Sequence, residues 1–262
     1  MDNTDFAKRM KMYEKKQTEQ RLDKNLPVIV RLDGRGFSNF TRNFKRPYDE
    51  DFRHVMTRTA EHVMKECDGC LAYTQSDEIS IIVPKPDLFF DAKIQKLVSV
   101  LSATATSKFV IEAMKVWPEH VSKSVPHFDA RVFNVPDYNE AVNSILWRQH
   151  DCVRNSVSMV GHHFLNKKQM HKRSREDVIE MLEDQCAVVW DEFPDDFKYG
   201  VYVYKRLENN VIPDHIWAKI PDGKKPQSRE YTRHKIKCNA FKNLSFNEIK
   251  NLSLGSRLVD HD

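Results

Sequence analysis

The 262-residue sequence lacks the features that would place it in a membrane or in a disulfide-stabilised class. No run of about 18 apolar residues occurs, which argues against a membrane span. The polar, charged start of the sequence shows no secretory signal. Five cysteines are an odd number and fit a reducing compartment. We therefore expect a cytoplasmic protein with no membrane partner.

Patterns of metal-binding cysteine and histidine are also incomplete. Cys67 and Cys70 form a C-x-x-C pair, but no second pair or spaced histidines complete a zinc site. A turn after a helix is the simpler interpretation of that pair. The net charge of +4 is only mildly basic, and no internal repeat is present. A hydrophobic content of 40% is enough for one large domain, or for a domain with an appended part.

A short apolar strand that stops at an acid and two glycines is the first informative stretch. β-branched residues at positions 28–30 favour a buried strand. Gly34 and Gly36 permit backbone conformations and a close ligand approach that side chains prevent. The amide groups of this turn can point at phosphate oxygens, with charge added by Arg35. An ordinary strand-to-turn segment, in which Asp33 only caps the turn, explains the same residues.

A β-hairpin with acids at its tip is predicted over residues 71–83, and Pro84 ends its second strand. Solvated turn acids are the ordinary interpretation of Asp77 and Glu78. If the hairpin pairs with the first strand, however, Asp33 and Asp77 can share a pair of hard cations. Carboxylates and substrate phosphates are the ligands that Mg²⁺ requires, and two such ions can activate an attacking oxygen and stabilise a leaving one.

The remaining periodicity places helices and one further strand. Apolar recurrence predicts helices over 49–67, 87–117 and 137–164, and alternation predicts a strand over 126–135. This order of elements indicates an α+β fold with helices packed on one face of a sheet. Basic clusters after residue 165 either contact phosphates or form a solvated face.

Five segments, taken together, resemble the tRNA-His guanylyltransferase superfamily of enzymes that add nucleotides in the 3′-to-5′ direction. They are R-L-D-G-R-G-F at 31–37, P-Y-D at 47–49, Q-S-D-E at 75–78, F-D-A-R at 128–131 and W-R-Q-H-D-C at 147–152. The resemblance implies a polymerase-palm-like (ferredoxin-like) antiparallel sheet with helices packed on it in a catalytic domain over residues 1–135. It further implies a C-terminal α/β extension over 136–262 for RNA binding and oligomerisation.

The same resemblance implies the site residues and ligands of a nucleotidyltransferase. The implied ligands of two Mg²⁺ ions are Asp33, Asp77 and the Gly34 carbonyl, and Glu78 is a further catalytic acid. The residues implied to bind ATP or GTP are Asp33, Gly34, Arg35, Gly36, Phe37, Ser38, Arg46, Ser76, Asp77, Glu78, Lys93 and Lys96. The implied RNA contacts are Arg131, Arg148, Asp151 and Asn155. The implied partners are tRNA, nucleoside triphosphates and three further copies of the chain, as a homotetramer.

One departure from the family pattern bears on substrate choice. The branch dedicated to tRNA-His carries His-Ile-Asn-Asn after the Asp-Cys pair, whereas this sequence has Val153-Arg154-Asn155-Ser156. The resemblance therefore favours template-dependent repair of 5′-truncated tRNA after activation by ATP or GTP. The alternatives are a dedicated enzyme that adds one G to tRNA-His, a nucleotide cyclase with an equivalent palm, and a non-catalytic RNA-binding protein.

Overall fold

The computed structural model describes residues 5–84 and 90–255, and these ranges contain one six-stranded antiparallel sheet. The strands are β1 (Val28–Arg35), β2 (Leu71–Gln75), β3 (Glu78–Val83), β4 (His127–Asn134), β5 (Val201–Val211) and β6 (Glu230–Asn239). Their spatial order is β4-β1-β3-β2-β5-β6. The sheet confirms the α+β class and pairs β1 with the predicted hairpin.

Eleven α-helices accompany the sheet in the described part of the chain. They are α1 (Asp5–Thr18), α2 (Phe37–Phe40), α3 (Glu50–Glu66), α4 (Ile94–Val116), α5 (Pro118–Lys123), α6 (Tyr138–Phe164), α7 (Lys167–Met170), α8 (Arg175–Cys186), α9 (Asp195–Tyr199), α10 (Asp214–Trp217) and α11 (Phe246–Ser253). Side-chain caps fix the starts of α3 and α6, since Asp49 accepts from the Phe52 amide and Asp137 from the Glu140 amide.

Helices cover both faces of the sheet, so the expectation that they pack on one face is wrong. Val30 and Leu32 of β1 point into a core formed with α3 and α4, whereas Ile29 points into a second core formed with α6 and α11. All six residues of β3 are buried, and a strand buried on both sides needs a layer on each side.

The sheet runs through the predicted boundary between residues 135 and 136. β5 pairs with β2 over Val201–Tyr204, so the C-terminal half adds strands to the sheet of the N-terminal half. Strands from both sides of the predicted boundary therefore belong to one continuous sheet.

Helix α4 differs from its prediction in two respects. It begins at Ile94, while the predicted start near Asp87 lies among residues 85–89, outside the described residues. It is also the one described helix whose length and composition would allow it to cross a membrane, a test that core helices pass as well. Leu101 and Phe109 of this helix are buried in the core against the sheet.

Candidate functional site

The two predicted metal carboxylates lie at one end of the sheet. Asp33 lies near the end of β1, opposite Glu78, the first residue of β3. Asp77 belongs to the hairpin turn, where its carbonyl accepts the Gly34 amide at 3.0 Å. Burial raises the pKa of Asp77 to about 6, and the nearby Asp33 carboxylate adds to the rise. The structure thus brings Asp33 and Asp77 together.

Gly34 permits this close approach. A Cβ atom at position 34 would lie 2.8 Å from the Asp77 Cβ and 2.5 Å from the Phe37 ring. Gly36 has a φ of +71°, the left-handed conformation that starts the following turn. Phe37 anchors the turn, because its buried ring packs against Phe109 and Phe128 with centroid distances of 5.1 and 5.0 Å. Only the backbone of Phe37 is therefore left to contact a ligand.

The donor set fits Mg²⁺ held partly by a substrate. Two carboxylates that repel each other and one adjacent carbonyl supply fewer ligands than an all-protein site needs. Among the described residues no group of three or more histidine, cysteine or acidic side chains is placed to hold a metal. Phosphate oxygens would complete the shell, as is usual for Mg²⁺ at phosphoryl-transfer sites.

Glu78 has a different environment from the two aspartates. Its side chain is 7% exposed and accepts two hydrogen bonds from Arg148, Nε to Oε1 at 2.6 Å and Nη2 to Oε2 at 2.8 Å. Arg31 donates a third, at 2.6 Å to Oε2. Because its oxygens accept from guanidinium groups, Glu78 holds Arg31 and Arg148 in place. Its role as a catalytic acid stays a prediction.

A cavity of about 300 Å³ opens beside the hairpin turn. Ser76, which directly precedes Asp77, lines it together with residues of α3, α6 and α9. The volume lies in the range of small-molecule sites. Arg46, which the resemblance implies for nucleotide binding, lines the cavity together with its neighbour Lys45.

Sequence reasoning missed several residues of the cavity wall. Tyr48 donates to Asp196 at 2.9 Å, and Arg53 pairs with the other Asp196 oxygen at 2.8 Å. Gln75 is 8% exposed and lines the cavity, and its amide has no hydrogen-bond partner among the described residues. Among the described residues, Arg31 Nε is the one fully buried side-chain nitrogen or oxygen that lacks a hydrogen-bond partner. The Gln75 amide atoms also lack a partner, so they are not fully buried and remain accessible from the cavity. The Q-S-D-E segment marked this position, but not its burial.

Lys93 and Lys96 do not join the carboxylates within one chain. Lys93 is the N-cap residue of α4, its side chain pairs with Glu19 at 2.9 Å, and its backbone forms an isolated antiparallel β-bridge with Arg21. Lys96 lies over the Phe90 ring at 4.9 Å. This region adjoins the start of β1, at the opposite end from Asp33. The predicted contact of both lysines with a triphosphate is not supported by the contacts of a single chain.

Sequence comparisons identify the family of the chain. Residues 7–136 match the Thg1 family, described as tRNAHis guanylyltransferase. The uncharacterised protein R259 of Acanthamoeba polyphaga mimivirus is 30% identical over 241 residues, 80% of this chain and 82% of the viral protein. The tRNA(His) guanylyltransferase of Neurospora crassa is 30% identical over 215 residues, 74% of this chain and 72% of the fungal enzyme. The chain belongs to the tRNA-His guanylyltransferase superfamily.

Solved structures of the superfamily share the fold. A bacterial tRNA(HIS) guanylyltransferase (Thg1)-like protein in complex with ATP is 30% identical, with a TM-score of 0.71 over 76% of this chain and 88% of that one. A complex of such a bacterial protein with GTP has a TM-score of 0.62 and 27% identity over 88% of this chain and 91% of that one. Coverage of the relatives varies, since the chain spans 37% of tRNA(His) guanylyltransferase 1 of Arabidopsis thaliana, which is 28% identical over 72% of this chain. These comparisons confirm the superfamily that the sequence motifs predicted. They also confirm the α+β fold and the membership in a family of tRNA nucleotidyltransferases.

The residues that the superfamily resemblance implied for RNA binding divide into two groups. Arg131 is exposed on β4, with its Nη2 4.0 Å from Asp33 Oδ2. Arg148 is 5% exposed, and Asp151 accepts from it at 2.7 Å, so we assign this pair to the support of Glu78 rather than to a direct RNA contact. Asn155 lines the cavity.

The segment that departs from the tRNA-His branch of the superfamily mostly faces the protein. Val153 is buried against the core around α8, and Ser156 is buried and accepts from the Trp190 indole. Arg154 alone projects into solvent, where it pairs with Asp151.

Proposed function

We propose that the chain adds nucleotides in the 3′-to-5′ direction to the 5′ end of truncated tRNA, with the opposite strand as template. One observation carries the proposal: two carboxylates suited to Mg²⁺ meet at the hairpin turn whose Ser76 lines a cavity of about 300 Å³. ATP or GTP would occupy the cavity and transfer its nucleoside monophosphate to the RNA 5′-phosphate, with release of pyrophosphate. The 3′-hydroxyl of the incoming nucleotide would then displace that nucleoside monophosphate.

The protein's residues have separate tasks in this proposal. Asp33, Asp77 and the Gly34 carbonyl hold Mg²⁺, which when bound neutralises phosphate oxygens and activates the attacking oxygen. Lys45 and Arg46 face the phosphates from the cavity wall. The accessible amide of Gln75 offers a donor and an acceptor to the nucleoside.

Repair, rather than dedicated addition of one G, is supported by the segment after Cys152. The position of the family histidine holds Val153, which is buried and has no hydrogen-bonding side chain. Base pairing with the opposite strand would then supply most of the choice of the incoming nucleotide. The homotetramer and the cytoplasmic location remain predictions.

The decisive experiment uses tRNA-His and two other tRNAs, each shortened by one 5′ nucleotide and varied at the opposing base. With ATP, GTP and Mg²⁺, we expect each RNA to gain the nucleotide complementary to its opposing base. Addition of G to tRNA-His alone, whatever the opposing base, would identify the dedicated enzyme. A cyclic nucleotide formed without RNA would identify a cyclase, and binding of RNA without any addition would identify a non-catalytic protein.

A further inference from the structure

A second surface borders Asp33, on the β4 side of the sheet and away from the cavity. It consists of Arg131 and Phe133 on β4 and Trp147 on α6, and we call it the shelf. Trp147 is 58% exposed and Phe133 is 41% exposed, while the Arg131 side chain is 59% exposed. Residues 131 and 133 of β4 share one face of the sheet. The shelf is thus an exposed surface, separate from the cavity.

Trp147 is held rigidly although it is exposed. The guanidinium carbon of Arg148 lies 4.5 Å from its ring centroid, and that of Arg31 lies 5.4 Å away. Both arginines are fixed in turn by the buried Glu78 carboxylate. A single exposed aromatic residue needs no explanation, but two on one surface with an exposed arginine are typical of single-stranded nucleic acid sites. The acids that face this arginine, Asp33 and Asp129, approach it only to 4.0 and 3.9 Å.

The shelf is close to the carboxylates. Arg131 lies opposite Arg31 in the β1–β4 ladder, and its Nη2 is 4.0 Å from Asp33 Oδ2. Arg31, which contacts Trp147, is two residues before Asp33 on the same face, a separation of roughly 7 Å along the strand. A base seated on the indole would therefore place its phosphate within one nucleotide of Asp33.

We propose that Trp147 is the stacking platform for the 5′-terminal base of the RNA, with Arg131 contacting the adjoining phosphate. This inference rests on the proposed function, because it assigns the RNA to the side of Asp33 that faces away from the cavity. A cavity of about 300 Å³ has the size of a small-molecule site. We therefore assign the nucleotide to the cavity and the RNA end to the exposed shelf on the other side of Asp33.

The test uses a tRNA acceptor-stem hairpin, shortened by one nucleotide, with 2-aminopurine as its 5′-terminal base. Stacking on an indole quenches this fluorophore, so binding to the wild-type protein should lower its emission. Trp147→Leu keeps apolar volume over Arg148 but removes the aromatic face. We expect it to lose the quenching and to weaken RNA affinity roughly 5- to 100-fold. Trp147→Phe should retain most of both, and the KM for ATP in 5′ activation should stay within about twofold of wild type in either variant.

Phe164→Ala is the matched control, since Phe164 is an aromatic residue of the same helix, 42% exposed, at its far end. It should change neither quenching nor affinity. Unchanged affinity and quenching in Trp147→Leu would overturn the platform, even if the wild-type protein extends RNA normally. Quenching of free 2-aminopurine riboside triphosphate, with none of the RNA end, would overturn it in favour of an incoming-nucleotide site. If the wild-type protein extends no RNA, the proposed function fails independently, and the binding measurements still decide the role of Trp147.

Discussion

At the scale of single residues, Asp77 couples folding to the chemistry. Its carboxyl pKa is raised to about 6, first by burial and then by Asp33. A carboxyl whose pKa is higher in the folded chain contributes stability at low pH and loses it as the pH rises through the folded pKa. In metal-free protein we therefore expect Asp77→Asn to raise the free energy of unfolding at pH 8 by about 1 to 3 kcal/mol, with a smaller gain at pH 5.

Urea unfolding in EDTA at both pH values measures this difference. Asp5→Asn, a change at a fully exposed acid, is the control and should have little effect at either pH. Added Mg²⁺ should raise the melting temperature of the wild-type protein but not of Asp77→Asn, because a ligand that binds only the folded state stabilises it. The variant should also lose nucleotide addition. Equal stability of variant and wild type at pH 8 would show that Asp77 is not strained by burial and Asp33.

At the scale of elements, a buried ion network joins α6 to the sheet. Arg148 of α6 binds Glu78 of β3, and Arg31 of β1 binds the same carboxylate. We expect Arg148→Met to destabilise the fold by about 3 kcal/mol, the lower end for breaking a buried pair, because Arg31 still neutralises Glu78. Adding Glu78→Gln should restore part of that loss, since it removes the uncompensated charge.

The exposed pair Lys65–Glu61 on α3 provides the control for this network. Lys65→Met should cost less than about 0.5 kcal/mol, because exposed helical ion pairs contribute little. Urea unfolding curves of the three variants and the wild-type protein measure all three effects. A loss for Arg148→Met no larger than for Lys65→Met would show that the network does not hold α6 on the sheet.

Elements with local signals were predictable from the sequence, and long-range contacts were not. Two strand-like runs and Pro84 marked the β2–β3 hairpin, and Asp49 and Asp137 marked the starts of α3 and α6. Arg148, however, lies 70 positions along the chain from the Glu78 that it binds, and Tyr48 contacts Asp196 across 148 positions. Helical spacing showed that Lys93 and Lys96 share a face, but not at which end of the sheet α4 begins.

At the scale of the whole molecule, charge is concentrated on a ribbon that continues beyond the sheet. β5 leaves β2 after Tyr204, and its remaining residues pair only with β6, as far as Val211 and Glu230. Alternation places four basic residues and one acid on one face of this ribbon. They are Arg206, Arg233, Lys235 and Lys237, with Glu208. The net charge of +4 for the whole chain hides this local excess.

If the ribbon contacts tRNA phosphates, each neutralised phosphate adds to the salt dependence of binding. Arg233 is exposed and has no ion pair among the described residues, so its charge is available to a phosphate. Arg233→Gln should weaken binding to all tRNAs alike and reduce the slope of log affinity against log salt by about one unit. Lys115→Gln on α4, an exposed lysine paired with Glu112, is the control and should leave the slope unchanged. Filter binding of one truncated tRNA from 50 to 200 mM salt, roughly the range over which phosphate contacts dominate, measures both slopes. An unchanged slope for Arg233→Gln would assign this face of the ribbon to solvent.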